Sequence, residues 1–267
     1  MTATKVSLLI SLIAVLSLSG VMLTVRPNSV HAADARTPIL VELFTSEGCS
    51  SCPPADKLLA KLDAQPLAGA ELIVMSEHVD YWNHIGWKDP YSARFYSDRQ
   101  TTYADRFGID GPYTPQMVVD GTSQFVGSDA AAANKAFSKA LAAHKLAMHL
   151  SSISIDASHI LQAHLEIGAL DASFDVHNAE VHFAVALNRA ESQVSGGENA
   201  GSKLIHVSVV RSLEKVGDLK AGQAFSKDLH IKLEPGADPH NLRVIVFVQE
   251  AGQGRVLGAA FAPVIAK

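Results

Sequence analysis

The rhythm of apolar and polar positions changes near residue 150. Before that point, short apolar runs alternate with stretches of helical spacing. Ile39-Leu40-Val41-Glu42-Leu43-Phe44 is one run, bounded by Pro38 and a Ser46-Glu47-Gly48 turn. Leu72-Ile73-Val74-Met75 is a second. Met117-Val118-Val119 and Gln124-Phe125-Val126 flank Asp120-Gly121, a short-hairpin signal. Helical spacing runs from Ala55 to Leu62, with a start expected at about Cys52 and Ser50 or Ser51 as cap, and again from Pro90 to Phe107. Ser128-Asp129 caps an alanine-rich stretch predicted to stay helical to about Met148, with Phe137, Leu141, His144 and Met148 along one side.

After residue 150 the period becomes two. Leu161, Ala163, Leu165 and Ile167 alternate with polar neighbours. So do Val181 to Leu187, Ile205 to Val209, Leu229 to Leu233 and Leu242 to Val248, and Val256 to Ile265 offers a last strand. Short strands separated by Gly, Asp and Asn turns predict an antiparallel sandwich. The expected order is an α/β domain with a mixed sheet and flanking helices over residues 33–149, then an all-β sandwich domain over 150–267. No long polar linker divides them, so they are expected to pack together.

Residues 1–32 read as a leader rather than as fold. Lys5 supplies a positive start, Val6 to Val25 is almost wholly apolar or small, and Val30-His31-Ala32 fits a small-x-small cleavage site. The alternative is an uncleaved anchor, since about 20 apolar residues can span a bilayer. Either way the remainder is expected outside the cytoplasm, secreted or in a bacterial envelope. Cleavage removes Lys5 and Arg26 and no acid, moving the formal net charge from −5 to −7. That acidity argues against nucleic acid and against anionic membrane surfaces as partners, and no stable membrane association is expected after cleavage.

In such a compartment the cysteines matter. The chain has two, Cys49 and Cys52, spaced C-x-x-C between the first apolar run and the first helical stretch. Thiols one turn apart can close into a disulfide, and a helix N-terminus favours the thiolate. An inert staple is the competing reading, but so small a loop constrains the unfolded chain little. Cys49, coming first after Gly48, is expected nearer solvent as the attacking thiol, with Cys52 resolving. Thr114-Pro115 precedes the hairpin, and a cis proline there would set Thr114 beside the dithiol to meet an extended substrate. The loop after the second run carries His78, Tyr81, Trp82 and Trp87. It either lines a substrate cleft beside Cys49 or packs on the following helix. Most histidines of the second half, His206 among them, read as solvent-facing or edge residues. Gly196 to Gly201 reads as a flexible turn, the alternative being that Glu198 and Asn199 reach the first half.

A strand entering C-x-x-C, a helix, a second strand, then Thr114-Pro115 before Val118-Val119-Asp120-Gly121 resembles the thioredoxin fold over residues 37–149. The resemblance implies Cys49 as attacking thiol, Cys52 as resolving thiol, Pro115 as the cis proline and Glu42 as a buried acid that helps move a proton; a salt-bridged Glu42 is the alternative. Ser50-Ser51 and Gly48 depart from thioredoxin itself, so potential and partner do not carry over. Val41 to Asp56, His78 to Asn83, Gly86 to Pro90 and Gly197 to Gly201 together resemble a family of bacterial secreted thioredoxin-like proteins of unknown function, domain of unknown function 1223.

Three functions follow as expectations. The first is a thiol–disulfide oxidoreductase acting on protein or small-molecule thiols and disulfides, with no cofactor and with Thr114, Tyr81, Trp82 and Trp87 on the substrate side. The second is a copper carrier through Cys49, Cys52 and His78, soft thiolates and imidazole suiting monovalent copper. The third is a non-catalytic module with a structural disulfide.

Overall fold

The computed structural model describes residues 36–264. The expected leader, residues 1–32, lies outside the described residues. Strand β1 (Thr37–Thr45) leads to helix α1 (Pro53–Ala64), strand β2 (Ala70–His78) and helix α2 (Arg94–Phe107). The hairpin β3 (Gln116–Val119) and β4 (Ser123–Val126) follows, then helix α3 (Ala130–Leu141). Seven further strands follow among the described residues: β5 (Met148–Ile155), β6 (Ile160–Ile167), β7 (Asn178–Gln193), β8 (Lys203–Lys220), β9 (Phe225–Lys232), β10 (Leu242–Glu250) and β11 (Val256–Pro263).

One eight-stranded mixed sheet dominates, ordered β11-β10-β7-β8-β2-β1-β3-β4. The first two strands run parallel, from Thr37 beside Ala70 to Thr45 beside His78. Parallel neighbours need a crossover, and α1 supplies it. The hairpin strand β3 joins β1 antiparallel. Its turn holds Asp120 and Gly121 at φ of 50° and 63°, the left-handed pair the Asp-Gly signal implies. A second sheet, β5-β6-β9, is antiparallel. It covers the β7/β10/β11 end through a buried cluster including Leu161, Leu165, Leu229, Phe183, Val244 and Val246.

The two layers of β-structure expected after residue 150 are therefore present, but one layer is the same sheet that carries β1 to β4. Strand β8 lies parallel to β2, meeting it at Ser76 and Val209, and the Ser208 hydroxyl donates to the Val74 carbonyl at 2.6 Å. The described residues fall within one compact unit. Along β1 the faces alternate. Ile39, Val41 and Leu43 join a core with Ala55 and Leu59 of α1 and Phe137 of α3. Leu40 faces the other way, in a cluster with Ile73, Met75, Tyr96, Ile245 and Phe247.

Local departures have local causes. Cys52, not a serine, occupies the cap position of α1, and no side chain caps it. Pro53 and Pro54 bring no N–H to the first turn, so there is less to cap. Helix α2 begins four residues later than expected because Asp89 turns the chain, its carboxylate accepting from the Tyr91 amide at 2.9 Å. The Asp129 cap of α3 is as expected, accepting from the amides of Ala131 and Ala132. That helix stops at Leu141 instead of reaching Met148, which starts β5. No Gly or Pro ends it. Lys145 instead ties the chain to Asp120 at 2.7 Å, and the Leu146 amide donates to Leu257 at 2.7 Å.

Candidate functional site

Cys49 and Cys52 are joined as a disulfide at the N-terminus of α1. Both have zero exposure, whereas Ser50 and Ser51 between them are exposed. Cys49 is thus not nearer solvent than Cys52, contrary to expectation. Its neighbours explain this. Trp82 lies against Gly48, where an added Cβ would come within 3.0 Å of the Trp82 Cβ. From the far end of the chain, Asn199 donates through Nδ2 to the carbonyls of Glu47 at 2.8 Å and Cys49 at 3.0 Å. Glu198 accepts from the Ser50 amide at 3.1 Å. Gly196 to Gly201 is therefore no free turn.

The expected substrate-side residues gather only in part. The Trp82 indole donates to Thr114 Oγ1 at 2.8 Å, tying the loop after β2 to the segment before Pro115. The Thr114–Pro115 peptide is cis. Pro115 stands by the first turn of α1, since a Cβ on Gly127 would touch both Pro115 and Ala55 at 3.3 and 3.1 Å. Trp87 donates to Glu47 Oε2 at 2.8 Å. Tyr81 turns to α2, donating to Gln100 at 3.1 Å; burial pushes its hydroxyl up to about 12, against the opposing hydrogen bonds. The loop thus both borders the disulfide and packs on α2.

Glu42 is buried on the sheet face opposite Val41 and Leu43, and so opposite α1. Arg99 Nε donates to it at 2.7 Å, and the Tyr103 hydroxyl donates to its other oxygen. This is the salt-bridged alternative, imposed by the two-residue period of β1. Beside it Glu77 is fully buried with neither carboxylate oxygen hydrogen-bonded, and burial, then Glu42, raises its pKa well above the ordinary value.

The sequence reading missed a second buried group. His206 of β8 is 1% exposed, with Nε2 3.4 Å from Glu47 Oε1 and Nδ1 3.7 Å from Asp56 Oδ2. Burial opposes its charge, but the Asp56 and Glu47 carboxylates outweigh that and hold its pKa at about 10. His78 lies edge-on to it, ring centres 4.7 Å apart, with Nδ1 2.7 Å from Asp89. Burial works against the Asp89 charge too, yet His78 and the amides of Glu47 and Tyr91 outweigh it and keep Asp89 below the usual range. Glu47 precedes the disulfide and Asp56 follows it, so β8 bridges both flanks of the C-x-x-C. Hydrophobic alternation pointed the wrong way here. Leu204, His206 and Ser208 share the buried phase of β8, while Ile205 is 40% exposed.

His78 thus faces Asp89 and His206. Among the described residues no group of three His, Cys, Asp or Glu side chains is arranged to hold a metal ion. No helix among them is long and apolar enough to cross a membrane.

Fold and site together define a mixed α/β protein, dominated by one large sheet, with a disulfide at a helix N-terminus amid buried charge. The chain belongs to the family described as "Protein of unknown function (DUF1223)", whose model matches residues 40–249. No curated protein matches it. Among solved structures, protein AGR_C_4864 from Agrobacterium tumefaciens is similar at 24% identity and a TM-score of 0.65, the match covering 86% of this chain and 96% of that one. HBP35 of Porphyromonas gingivalis is similar at 17% identity and a TM-score of 0.63, covering 86% of this chain and 76% of that one. At these identities the likeness is one of fold.

Proposed function

We propose that this protein is an extracytoplasmic, thioredoxin-like thiol–disulfide oxidoreductase working through Cys49 and Cys52. The observation that carries the reading is the position of the pair: a disulfide at the start of α1, with exposed Ser50 and Ser51 between its members. A helix N-terminus stabilises the thiolate that exchange requires. Reduced Cys49 attacks a substrate disulfide, forms a mixed disulfide and expels one substrate thiolate, which takes up a proton. Cys52 then attacks Cys49 Sγ, releases the second thiolate and re-forms the internal bond. Two electrons pass to the substrate; the reverse sequence oxidises a dithiol. Thr114, Trp82 and Trp87 shape the surroundings, and Tyr81 supports the loop from α2. Glu42 has no part in the proposal, its carboxylate being committed to Arg99 and Tyr103.

The test is turnover and trapping. Wild type should catalyse reduction or oxidation of a model protein disulfide, Cys49→Ala should not, and Cys52→Ala should accumulate mixed disulfides in its own cell envelope. Full activity in Cys49→Ala removes the proposal. A second reading, a structural disulfide, is favoured by the zero exposure of both cysteines. It predicts a pair that stays oxidised in excess glutathione, without turnover. Copper carriage through Cys49, Cys52 and His78 has less support, since among the described residues these three side chains are not gathered as a ligand set.

A further inference from the structure

The tip between β7 and β8 reaches from the second half to hydrogen-bond the C-x-x-C backbone itself. It is folded on its own bonds: the Val194 amide donates to Ser202 at 3.0 Å and the Gly201 amide to Val194 at 2.8 Å. Gly197 and Gly201 hold φ of 68° and 83°, conformations that suit glycine. One side of the tip presses on the loop after β2, where a Cβ on Gly196 would come within 2.2 Å of the Gly86 carbonyl oxygen. On the other side Asn199 donates to the Glu47 and Cys49 carbonyls and Glu198 accepts from the Ser50 amide. Asn199 is 9% exposed and Glu198 is exposed. A buried anchor with an exposed neighbour suits a lid, because the hydrogen bonds that latch it to the dithiol loop come from these two side chains.

We propose that residues 194–202 are a lid over the Cys49–Cys52 disulfide, latched by Asn199 and Glu198, and that the lid determines which thiols reach the pair. Small thiols pass a brief opening; a polypeptide thiol needs the tip displaced. This deepens the oxidoreductase reading and rests on it for the identity of the partner. An incoming thiolate attacks Cys49 Sγ, the Cys49–Cys52 bond breaks, and the Cys52 sulfur leaves as thiolate and takes a proton from water. Attack on a sulfur depends on access to it, and Asn199 is bonded to the carbonyl of that same residue. Local openings of this kind are set by few contacts and are shifted by single side chains.

The experiment follows reduction of the oxidised full-length protein by dithiothreitol and by reduced, unfolded ribonuclease A, in wild type, Asn199→Ala, Glu198→Ala and Glu198→Gln. Losing the two Asn199 hydrogen bonds should raise the ribonuclease rate about tenfold, with a smaller gain for dithiothreitol. Glu198→Ala should give about threefold, and Glu198→Gln, which keeps an acceptor for Ser50, the wild-type rate. Cooperative thermal unfolding confirms that each variant is folded. Unchanged rates in folded Asn199→Ala overturn the lid, and equal acceleration with both reductants overturns its selectivity. Should Asn199→Ala not fold, Glu198→Ala decides, since its side chain is exposed; an unchanged rate there overturns the latch. The readout needs no turnover. Absent catalysis in every variant therefore removes the oxidoreductase reading without touching the lid.

Discussion

Replacing His206 with glutamine tests whether charge holds the cluster beside the disulfide. Folding raises its pKa from 6.5 to about 10, the carboxylates of Asp56 and Glu47 outweighing burial. A difference of that size corresponds to roughly 5 kcal/mol, a ceiling on what protonation of this one ring contributes. Glutamine removes the cation and leaves two buried carboxylates, one at each ring-nitrogen position, without it. Each keeps a donor, Trp87 for Glu47 and the Thr45 hydroxyl for Asp56. Stripping one partner from a buried ion pair costs about 3–5 kcal/mol, and the retained donors favour the lower end, about 3 kcal/mol near neutral pH. The sign with pH follows from the direction of the shift. His206 binds its proton more tightly when folded, so its contribution is complete below about pH 6.5 and is lost as pH rises through about 10. Between those limits wild type should lose about 1.4 kcal/mol per pH unit relative to the variant. Urea unfolding of both proteins from about pH 6 to about pH 9, analysed as a difference, isolates this ring from the lysines and tyrosines that titrate in both. A variant within about 1 kcal/mol of wild type at neutral pH, or a difference flat across that range, refutes the charged cluster.

Other substitutions probe other contacts. Glu42→Gln deprives buried Arg99 of its nearest carboxylate, but Glu77, 3.6 Å from Arg99 Nε, can ionise in its place. The expected loss is therefore about 2 kcal/mol, less than for an unrelieved buried ion, and a Glu42→Gln/Glu77→Gln double variant should lose more than the single losses combined. Additive losses in urea unfolding would mean the two acids do not share the arginine. Gly121→Ala puts a Cβ at φ of 63° and within 2.1 Å of the Gly254 carbonyl oxygen, so it should lower stability by more than about 2 kcal/mol; a smaller loss in thermal unfolding would mean these turns are not in contact. Lys145→Met strands the Asp120 carboxylate, which is 4% exposed and 2.7 Å from the ammonium. It should cost about 3 kcal/mol, and an Asp120→Asn change on top should restore part of it.

Legibility followed physics that acts locally. The C-terminal edge of β1, the Asp120-Gly121 turn and the Asp129 cap were readable because residue and neighbour decide them. The end of α3 was not, because Lys145 and Leu146 stop it through partners more than 100 residues away, at Val256 and Leu257. Strand β8 is longer than alternation predicts because extra residues at Val216 and Arg211, opposite Val181/His182 and Val185/Ala186, break its two-residue period. The same reliance on hydrophobic phase hid His206 and Ser208, polar side chains on the buried side of β8. At the site the cysteines, Trp82 and Thr114 were legible from spacing. The reach of Asn199 to the first half was legible as an alternative to a free turn, whereas the pairing of Glu47 and Asp56 with His206 was not, since that partner comes from the far half of the chain.

The placement of β8 ties these misses together. A strand beside β2 must present one face to the α1 side of the sheet, at the level where β1 ends and the C-x-x-C begins. Apolar residues throughout that face would have left Glu47 and Asp56 buried without a cation. His206 supplies one, and Ser208, one step along the same face, satisfies the Val74 carbonyl at 2.6 Å. The β7–β8 tip then continues past the sheet edge to the disulfide loop, where Asn199 bonds Glu47 a second time, at its backbone. Glu47 is thus held by Trp87, His206 and Asn199 from three separate segments. Any change at the sulfur pair that shifts Glu47 must be transmitted to all three. The seam between the two halves is therefore part of the site and not merely its support.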